Sequence, residues 1–296
     1  MKTIEVNNLS KEYKNTSALN GINLEINKGK VVGLLGKNGA GKTTLNKLIT
    51  GLIFPSAGSI KVLGEVPKGG QKKVGFLSEN IALYPKLSAR ENLEISILQE
   101  GNSPKSGQIS KILKMVSIQD TRKKVNDFSL GMKRRLQVAM IVLANDRELL
   151  ILDEPTNGLD LDGVLWLKNM ILELKNQGKT ILLSSHSILQ MEDVLTDYII
   201  LNKGLLADSG EMTSLTEGIL NIEIRIEEIE RAKTALVKKG YLYNQHGNIL
   251  VIPLKVDYMH YLRVLNEEDI YPISYNLKKK SLVDRFHLYA GGNNDE

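Results

Sequence analysis

The sequence of 296 residues contains no cysteine, which is its clearest absence. Without thiols the chain forms no disulfide and offers no thiolate to a zinc ion, and a reducing compartment is compatible with its composition. The first residues, Met1-Lys2-Thr3-Ile4-Glu5, lack the apolar core of a signal peptide. No stretch approaches the roughly 18 uninterrupted apolar residues of a membrane-spanning helix. We therefore expect that the chain does not itself span a membrane and that a partner would supply any span.

The charge of the chain is moderately basic, with 39 Lys and Arg against 34 Asp and Glu and a formal net charge of +5. The basic residues are dispersed, apart from short clusters such as Lys278-Lys279-Lys280. Basic character can indicate nucleic acid or an anionic membrane surface, but dispersed charge is typical of a solvated surface, so we expect no nucleic-acid partner. The apolar fraction of 42% suits a packed core. The length suits one large domain or two ordinary ones.

Residues 36–44 carry the most specific motif of the chain. They read G-K-N-G-A-G-K-T-T and fit the P-loop pattern, a glycine and four further residues followed by Gly-Lys-Thr. An apolar run at 31–35 predicts a buried strand before the loop, and helical spacing at 42–49 predicts a helix after it. A glycine-rich turn without a ligand is the alternative, but strand, loop and helix are the context that the motif requires. The sequence therefore predicts a polyphosphate site that faces backbone N–H groups and a helix N-terminus.

Side chains of this loop have predicted roles at the site. Lys42 would reach the β- and γ-phosphates, and the Thr43 hydroxyl would bind Mg²⁺. Tyr13, upstream of the loop, is a weaker signal, because an aromatic side chain can stack on a base but a lone tyrosine usually packs or lies on the surface. The loop residues that we expect to contact ATP are Gly36, Lys37, Asn38, Gly39, Ala40, Gly41, Lys42, Thr43 and Thr44.

Acidic and polar residues follow two further apolar runs. Asp153 and Glu154 follow the run 149–152, and Ser184-Ser185-His186 follows the run 180–183. Apolar strands that alternate with helices predict a mostly parallel sheet covered on both faces. Ligands of such sheets bind beyond the carboxyl ends of the strands, so one crevice would hold the P-loop, the acidic pair and His186.

These side chains suit the chemistry of phosphoryl transfer. Asp153 would help to hold Mg²⁺, while Glu154 would turn to the other side of the strand end and polarise a water aimed at the γ-phosphate. His186 would hydrogen-bond the γ-phosphate and fix the geometry of water and carboxylate. Taken alone, an acidic pair can be a solvated strand end, and a lone histidine is more often structural. The P-loop upstream favours the catalytic interpretation.

A second helix N-terminus suited to an anion begins at Ser129. This residue is a good N-cap within the stretch F-S-L-G-M-K-R-R-L at 128–136, and the helix is predicted to continue to Ala144. Because only one P-loop is present, we interpret the turn as part of another copy's site. In a head-to-tail dimer, Ser129 and Gly131 of each copy would cover the nucleotide of the other.

Local patterns predict further elements of the chain. Ser88 and Glu91 form a capping box, and Asp162 would cap the helix that carries Trp166. Apolar residues alternate near the N-terminus and predict two short strands joined by a turn; they are Ile4, Val6, Leu9, Ile22, Leu24 and Ile26.

The pattern changes near Gly218. Predicted elements then follow in the order β-α-β-β-α-β with a trailing helix at 281–289, which predicts a small split-βαβ domain without a catalytic constellation. Its histidines, His246, His260 and His287, have no partners at metal-ligand spacing, so we interpret them as structural or surface residues.

Together the motifs resemble those of the ATP-binding subunits of ABC transporters. The matching stretches are Gly36–Thr44 (Walker A), Phe128–Leu136 with S-L-G-M-K as a variant of L-S-G-G-Q, Leu149–Glu154 (Walker B), Asn157–Asp160 (D-loop), His186 (switch histidine) and Tyr13 (adenine-stacking aromatic). The resemblance implies an α/β fold, a P-loop NTPase domain of the ABC type at 1–217 with a mostly parallel core sheet and N-terminal antiparallel strands. A small α+β, ferredoxin-like domain would follow at 219–296. The resemblance also implies a nucleotide-sandwich homodimer, with Ser129, Gly131 and Met132 among the ATP contacts.

Two positions depart from the family pattern. Glu79 stands where the family usually has glutamine; its carboxylate can accept from water and approach Mg²⁺, but it cannot donate and it adds negative charge. Leu161 follows the D-loop in place of the common proline. Glu79, the S-L-G-M-K signature and the small C-terminal domain are similar to the ATPases of bacteriocin and lantibiotic self-protection exporters and of related antibiotic-resistance exporters.

The resemblance implies an ATPase that uses ATP and Mg²⁺ to drive an exporter with separately encoded transmembrane permease subunits. The chain would then be cytoplasmic and peripheral, on the inner face of the cell membrane through the permease. A peptide antibiotic is the preferred substrate, followed by another hydrophobic drug, a lipid or a polymer. One alternative is a non-transport ABC protein that acts on ribosomes or DNA, but such proteins usually have two ATPase units or a long coiled coil. Another is a regulatory subunit without turnover, which Glu154 and His186 argue against.

Overall fold

The computed structural model describes residues 1–14, 16–78, 81–144, 146–185, 188–213, 219–254, 258–278 and 282–290. The predicted site residues Glu79 and His186 lie outside these described ranges. The chain forms two compact units, one of residues 1–210 with 286–296 and one of residues 211–285.

Strands and helices alternate along the first unit. In chain order they are β1 (Lys2–Tyr13), β2 (Thr16–Asn27), β3 (Val31–Leu35), α1 (Lys42–Ile49), β4 (Ala57–Val62), β5 (Val74–Leu77), α2 (Ala89–Gln99), α3 (Gln108–Met115), α4 (Leu130–Val142), β6 (Leu149–Asp153), α5 (Leu161–Asn176), β7 (Thr180–Ser184), β8 (Asp197–Asn202) and β9 (Leu205–Glu211).

The first unit contains an antiparallel sheet and a mostly parallel sheet. β1 lies between β2 and β4 and is antiparallel to both. The other sheet has the order β5-β6-β7-β3-β8-β9, and its pairs from β5 to β8 are parallel. The predicted α/β class, with a mostly parallel core sheet and antiparallel N-terminal strands, is therefore confirmed.

The N-terminal strands differ from the prediction in length. β1 and β2 span 12 residues each, so the prediction of two short strands was wrong. The pairing of β1 with β2 shifts register at several places, among them between Val6 and Leu9. Such irregularities interrupt the strict alternation of apolar residues, so a long strand reads as short pieces.

Burial explains the apolar composition of the central strands. Every residue of β3, β6 and β7 is buried, because the sheet is covered on both faces. A single apolar cluster joins the N-terminal sheet, α1 and the central sheet; its members include Ile4, Val6, Leu45, Leu48, Val32, Leu34, Ile151 and Leu182. This cluster fixes α1, and with it the P-loop, against the sheet.

The sheet ends in a hairpin that the sequence did not lead us to predict. β8 is joined to β9 by Lys203-Gly204, and both residues have positive φ angles, 48° and 80°. Two consecutive left-handed residues make the type I′ turn that suits the twist of paired strands.

Helix caps of the first unit follow the sequence with one exception. Ser88 and Glu91 form the predicted capping box of α2, and Ser129 caps α4, which ends at Val142 rather than at Ala144. The prediction for α5 was wrong, because Asp160 and not Asp162 is the N-cap and accepts from the Gly163 N–H at 2.8 Å. The reason is local: Asp160 is extended and the helix begins at Leu161, so Asp162 already lies in the first turn.

The second unit is a four-stranded antiparallel sheet with helices. Its elements are β10 (Ile219–Glu223), α6 (Ile229–Lys238), β11 (Asn244–His246), β12 (Ile249–Pro253), α7 (Tyr258–Asn266) and β13 (Ser274–Lys278), and α8 (Leu282–Ala290) follows. The strand order is β11-β12-β10-β13. One face of the sheet packs on α6 and α7 through a cluster that includes Leu220, Ile222, Leu250, Ile252, Leu236 and Tyr261. The small α+β C-terminal part of the predicted fold is thus present.

The three C-terminal histidines have different local surroundings. His246 is exposed on β11, the His260 ring is 6.0 Å from that of Tyr241, and the His287 ring is 6.0 Å from that of Phe286. Within the described ranges, no group of three or more His, Cys, Asp or Glu side chains is arranged to hold a metal ion. No helix in the same ranges has the length and hydropathy needed to cross a bilayer.

Candidate functional site

Three neighbouring parallel strands end at one edge of the central sheet. Asp153, the last residue of β6, pairs with Ser184, the last residue of β7, and Ser184 lies opposite Leu34 of β3. The P-loop follows β3 directly, so the loop, the acidic pair and Ser185 leave the sheet at the same edge. His186 follows Ser185 in the chain, but it lies outside the described residues, as does Glu79 after β5.

The glycines of the P-loop allow close backbone packing. A Cβ on Gly36 would lie 2.7 Å from the Leu201 carbonyl oxygen, and one on Gly41 would lie 2.6 Å from the Leu19 side chain. Gly41 also has a φ of 105°, which favours glycine. Gly41 is the N-cap of α1, and it has no side chain that could accept a hydrogen bond from the first N–H groups of the helix. These N–H groups therefore face the loop without a capping side chain. This is the arrangement that binds phosphate at helix N-termini.

Lys42 lies inside the loop. Its side chain is only 8% exposed, and Nζ donates to the carbonyl oxygens of Gly36 at 2.7 Å and Lys37 at 3.2 Å. Burial lowers the pKa of Lys42, while the negative charges of Glu154 and Asp153 oppose that shift. The ammonium group is therefore desolvated and faces the acidic pair, and an anionic ligand would add to the field that keeps it charged.

Asp153 is held by a relay of hydrogen bonds that starts on α1. The Asn46 amide Nδ2 donates to Ser184 Oγ at 2.9 Å, and Ser184 Oγ donates to Asp153 Oδ1 at 2.5 Å. All three side chains are buried. The relay orients one carboxylate oxygen and connects the P-loop helix to the strand that carries Asp153.

Glu154 is held by a separate pair of hydroxyls. Ser185 Oγ donates to Glu154 Oε2 at 3.0 Å, and Thr156 Oγ1 lies 2.9 Å from Ser185 Oγ. Glu154 has a φ of 50°, a left-handed conformation that non-glycine residues adopt at a cost. Its backbone N–H donates to the Ser184 carbonyl oxygen at 2.6 Å. The turn begins at this residue, so Asp153 and Glu154 have different partners although they are adjacent.

The remaining P-loop residues and Tyr13 differ in exposure. Lys37, Asn38 and Gly39 are exposed, Gly36 and Ala40 are buried, Thr43 is exposed and Thr44 is half-buried. Tyr13 ends β1 with 43% of its surface exposed, and Lys11 Nζ lies 5.3 Å from the centre of its ring. An exposed aromatic ring beside a cation is available to stack on a planar group.

The signature turn at the start of α4 is on the surface. Ser129 Oγ accepts from the Met132 N–H at 3.2 Å, and Leu130 is 67% exposed. A Cβ on Gly131 would lie 3.3 Å from the Gly158 carbonyl oxygen, so the turn contacts the loop that follows Glu154. Gly131 thus borders the D-loop, while the exposed Ser129 and the half-buried Met132 leave the N-terminus of α4 accessible.

Sequence reasoning missed the residues that support the acidic pair. Asn46 and Ser184 are separated by 138 residues, and Thr156 and Ser185 by 29. A polar Asn46 on the otherwise apolar face of a predicted helix was the available signal, since such a side chain needs a buried partner. No pattern in the sequence identified that partner.

Known proteins resemble this chain in sequence. A family model described as "ABC transporter" matches residues 19–157. The chain is 38% identical over 218 residues to the bacitracin transport ATP-binding protein BcrA of Enterococcus faecalis, covering 72% of this chain and 70% of that protein. It is 42% identical over 198 residues to the lantibiotic transport ATP-binding protein SrtF of Streptococcus pyogenes, covering 66% of this chain and 85% of that protein.

A solved structure shares the fold. It is the ATP-binding cassette MJ0796, described as the dimeric structure of a post-hydrolysis state bound to ADP and Pi. The TM-score is 0.64 at 25% identity, and the match covers 71% of this chain and 98% of that chain.

Proposed function

Since the chain belongs to the ATP-binding proteins of the ABC transporter family, we propose that it hydrolyses ATP as the motor subunit of an exporter. The observation that supports this most strongly is the meeting of three features at one sheet edge. They are the P-loop with its buried Lys42, the oriented carboxylate of Asp153 and the separately held carboxylate of Glu154. In this proposal residues 1–217 form the ATP-binding domain, and residues 219–296 form the C-terminal domain.

ATP binds across the P-loop in this proposal. The backbone N–H groups at the start of α1 and the Lys42 ammonium receive the phosphates, and the exposed ring of Tyr13 stacks on the adenine. The proposed contacts of the loop are Gly36, Lys37, Asn38, Gly39, Ala40, Gly41, Lys42, Thr43 and Thr44.

The residues present fit Mg²⁺. Thr43 presents an exposed hydroxyl, and Asp153 presents a carboxylate that Ser184 orients. These are hard oxygen ligands, and their small number suits an ion that completes its shell with waters and substrate phosphates. When bound, Mg²⁺ supplies positive charge that neutralises the phosphates. We also propose Glu79 as a residue that approaches this ion.

Glu154 is the proposed base of the hydrolysis. Ser185 Oγ donates to Glu154 Oε2 and so orients the carboxylate that is proposed to accept a proton from a water, while the left-handed turn begins at this residue, after Asp153 and its relay. His186 follows Ser185 directly and is proposed to hydrogen-bond the γ-phosphate. In this proposal Asp153 binds the metal ion and Glu154 activates the water.

The complete site needs a second copy of the chain. Ser129, Gly131 and Met132 lie at an accessible helix N-terminus that provides a further anion site. The similar cassette MJ0796 is described as dimeric with ADP and Pi bound. We propose a homodimer in which this turn of each copy covers the nucleotide of the other.

The names of the relatives support an exported drug. BcrA is a bacitracin transport protein and SrtF a lantibiotic transport protein. We propose a peptide antibiotic as the substrate, separately encoded permease subunits as the membrane partner, and a cytoplasmic location on the inner face of the membrane through that permease. Both relatives are described as transport proteins, so we do not adopt the non-transport alternative.

A pair of matched variants tests the ATPase. Glu148 precedes β6 and Glu154 follows it, so the two glutamates flank one strand, and Glu148 forms ion pairs with Lys28 and Lys73. The purified chain should release phosphate from MgATP. Glu154→Gln should lower the rate by at least about 100-fold, because the amide is not a base, and Glu148→Gln should retain the rate. Equal rates for the two variants would contradict the role of Glu154, and absence of turnover in the unmodified chain would contradict the proposed function.

A further inference from the structure

A buried arginine joins the signature helix to the acidic pair. Arg134 is on α4, five residues after Ser129, and only 4% of its surface is exposed. Its Nη2 atom donates to the carbonyl oxygens of Asp153 at 2.7 Å and Glu154 at 2.6 Å. The two N–H groups of a single nitrogen thus hold two consecutive peptide carbonyls.

These carbonyls belong to the turn that directs the carboxylates. Glu154 is left-handed, which costs a non-glycine residue about 1–3 kcal/mol unless its surroundings hold it there. A fork of charge-assisted hydrogen bonds to the carbonyls on both sides of this residue's N–Cα–C unit supplies such a restraint. The orientation of the Glu154 side chain therefore depends on where α4 places its guanidinium.

The other arm of the guanidinium extends the link to a third segment. Arg134 Nη1 donates to Gln137 Oε1 at 3.0 Å, and Gln137 Nε2 donates to the Ile81 carbonyl oxygen at 2.7 Å. Ile81 lies two residues after Glu79, in the segment that leaves β5. The buried Arg134 and the half-buried Gln137 on α4 thus contact both polypeptide segments that carry the proposed acidic residues.

We propose that Arg134 is a positioning residue that couples the two nucleotide sites of the dimer. The inference rests on the proposed function, in which the N-terminus of α4 covers the partner's nucleotide while Glu154 acts on the chain's own nucleotide. Seating α4 on the partner's nucleotide sets the guanidinium, and the guanidinium sets the turn at Glu154. Arg134 donates to the two carbonyls at the end of β6 and to Gln137, so these contacts act on the turn that carries Glu154. Its role is therefore in turnover and cooperativity and not in initial binding.

The test compares Arg134→Met with Arg147→Met in the full chain. Arg147 is also a buried arginine that donates to backbone carbonyls, those of Met140 and Ile141, and it pairs with Glu100 away from the site. Measurements are the affinity for ATP without Mg²⁺, the rate of phosphate release, the Hill coefficient for ATP and the thermal midpoint. Arg134→Met should bind ATP within about threefold of the unmodified chain, lose about 10- to 100-fold in turnover, and give a Hill coefficient near one. Arg147→Met should lose thermal stability but keep the turnover of its folded fraction and its Hill coefficient.

Two milder variants test the coupling role of Arg134 if Arg134→Met does not fold. Arg134→Lys keeps a buried cation that reaches fewer acceptors, and Gln137→Met removes the link to Ile81 while Arg134 remains. Both variants should fold. Their turnover and Hill coefficients should lie between those of the unmodified chain and those expected for Arg134→Met. If both match the unmodified chain in turnover and Hill coefficient, the coupling role is wrong.

Failure of the inference differs from failure of the proposed function. If the unmodified chain and a folded Arg134→Met variant both hydrolyse ATP cooperatively, the coupling role of Arg134 is contradicted. The proposed ATPase function is not affected by that result. A variant that loses turnover but keeps the Hill coefficient also contradicts the coupling, since Arg134 would then support one site alone. An unmodified chain without turnover contradicts both.

Discussion

Removal of the Ser184 hydroxyl should lower the stability of the chain and raise the Mg²⁺ concentration that its ATPase activity requires. Ser184 is fully buried and its Oγ receives the Asn46 amide and donates to Asp153, so Ser184→Ala breaks both steps of the relay. The alanine itself fits, because it is smaller than the serine that it replaces. What changes is the hydrogen bonding of two buried polar groups.

The magnitude follows from those two groups. A hydrogen bond to a charged acceptor contributes about 1.5–3 kcal/mol, and a buried donor without an acceptor costs about 1–3 kcal/mol. Some of this loss is recovered by relaxation of the neighbouring side chains, so we expect the free energy of unfolding to fall by about 3 kcal/mol. For a unit of this size that corresponds to a fall of roughly 6–12 °C in Tm.

The functional consequence is specific to Mg²⁺. Residues that orient a metal ligand typically affect metal affinity by about 10- to 100-fold, so the Mg²⁺ concentration for half-maximal ATPase activity should rise by about tenfold or more. The assay is a Mg²⁺ titration of phosphate release at saturating ATP, at a temperature well below the Tm of the variant.

A control at the opposite end of the same strand distinguishes stability from function. Thr180 begins β7, is buried, and accepts the Gly29 N–H at 3.0 Å while bonded to Thr3 Oγ1 at 3.1 Å. Thr180→Val should lower the Tm without changing the Mg²⁺ requirement. If the two variants shift the Mg²⁺ requirement equally, or if Ser184→Ala does not shift it, the reasoning about the relay is refuted.

Two further predictions concern Lys42 and the cap of α5. Lys42→Met should abolish ATP binding and yet raise the free energy of unfolding of the nucleotide-free chain at neutral pH, because burial lowers the pKa of Lys42 and the folded state thus disfavours its charge. Between the lowered pKa of folded Lys42 and 10.5, the unfolded chain binds more protons than the folded one, so the unmodified chain gains stability as the pH rises. The excess in free energy of unfolding of Lys42→Met should therefore shrink over this range. Denaturant titrations at several alkaline pH values check this. Asp160→Ala should lower the free energy of unfolding by about 1 kcal/mol through loss of the N-cap. Asp162→Ala should cost less, and a larger loss for Asp162→Ala would contradict the assignment of the cap.

The predictable part of this structure is local. The strands β3, β6 and β7 could be predicted because both of their faces are buried and their residues are apolar without interruption. The caps Ser88 and Ser129 could be predicted because their hydrogen bonds join residues three positions apart. The P-loop combines both kinds of signal.

The parts that could not be predicted depend on distant or very local geometry. Arg134 reaches carbonyls 19 and 20 residues away, and the Asn46–Ser184 bond joins different elements, so sequence spacing carries no trace of either. The observed N-cap of α5 lies two residues before the predicted one, because its position depends on the backbone angles at Asp160. β8 was missed because the short apolar run at 198–201 has no alternation that distinguishes a buried strand from other buried segments.

Two copies of the chain complete two ATP sites in the proposed dimer, and light scattering on Glu154→Gln tests this arrangement most directly. With MgATP, this variant should bind without turnover and have twice the mass of the chain, while the same variant with Ser129→Arg should keep the mass of one chain. A Glu154→Gln chain that binds MgATP and still has the mass of a single copy would contradict the claim.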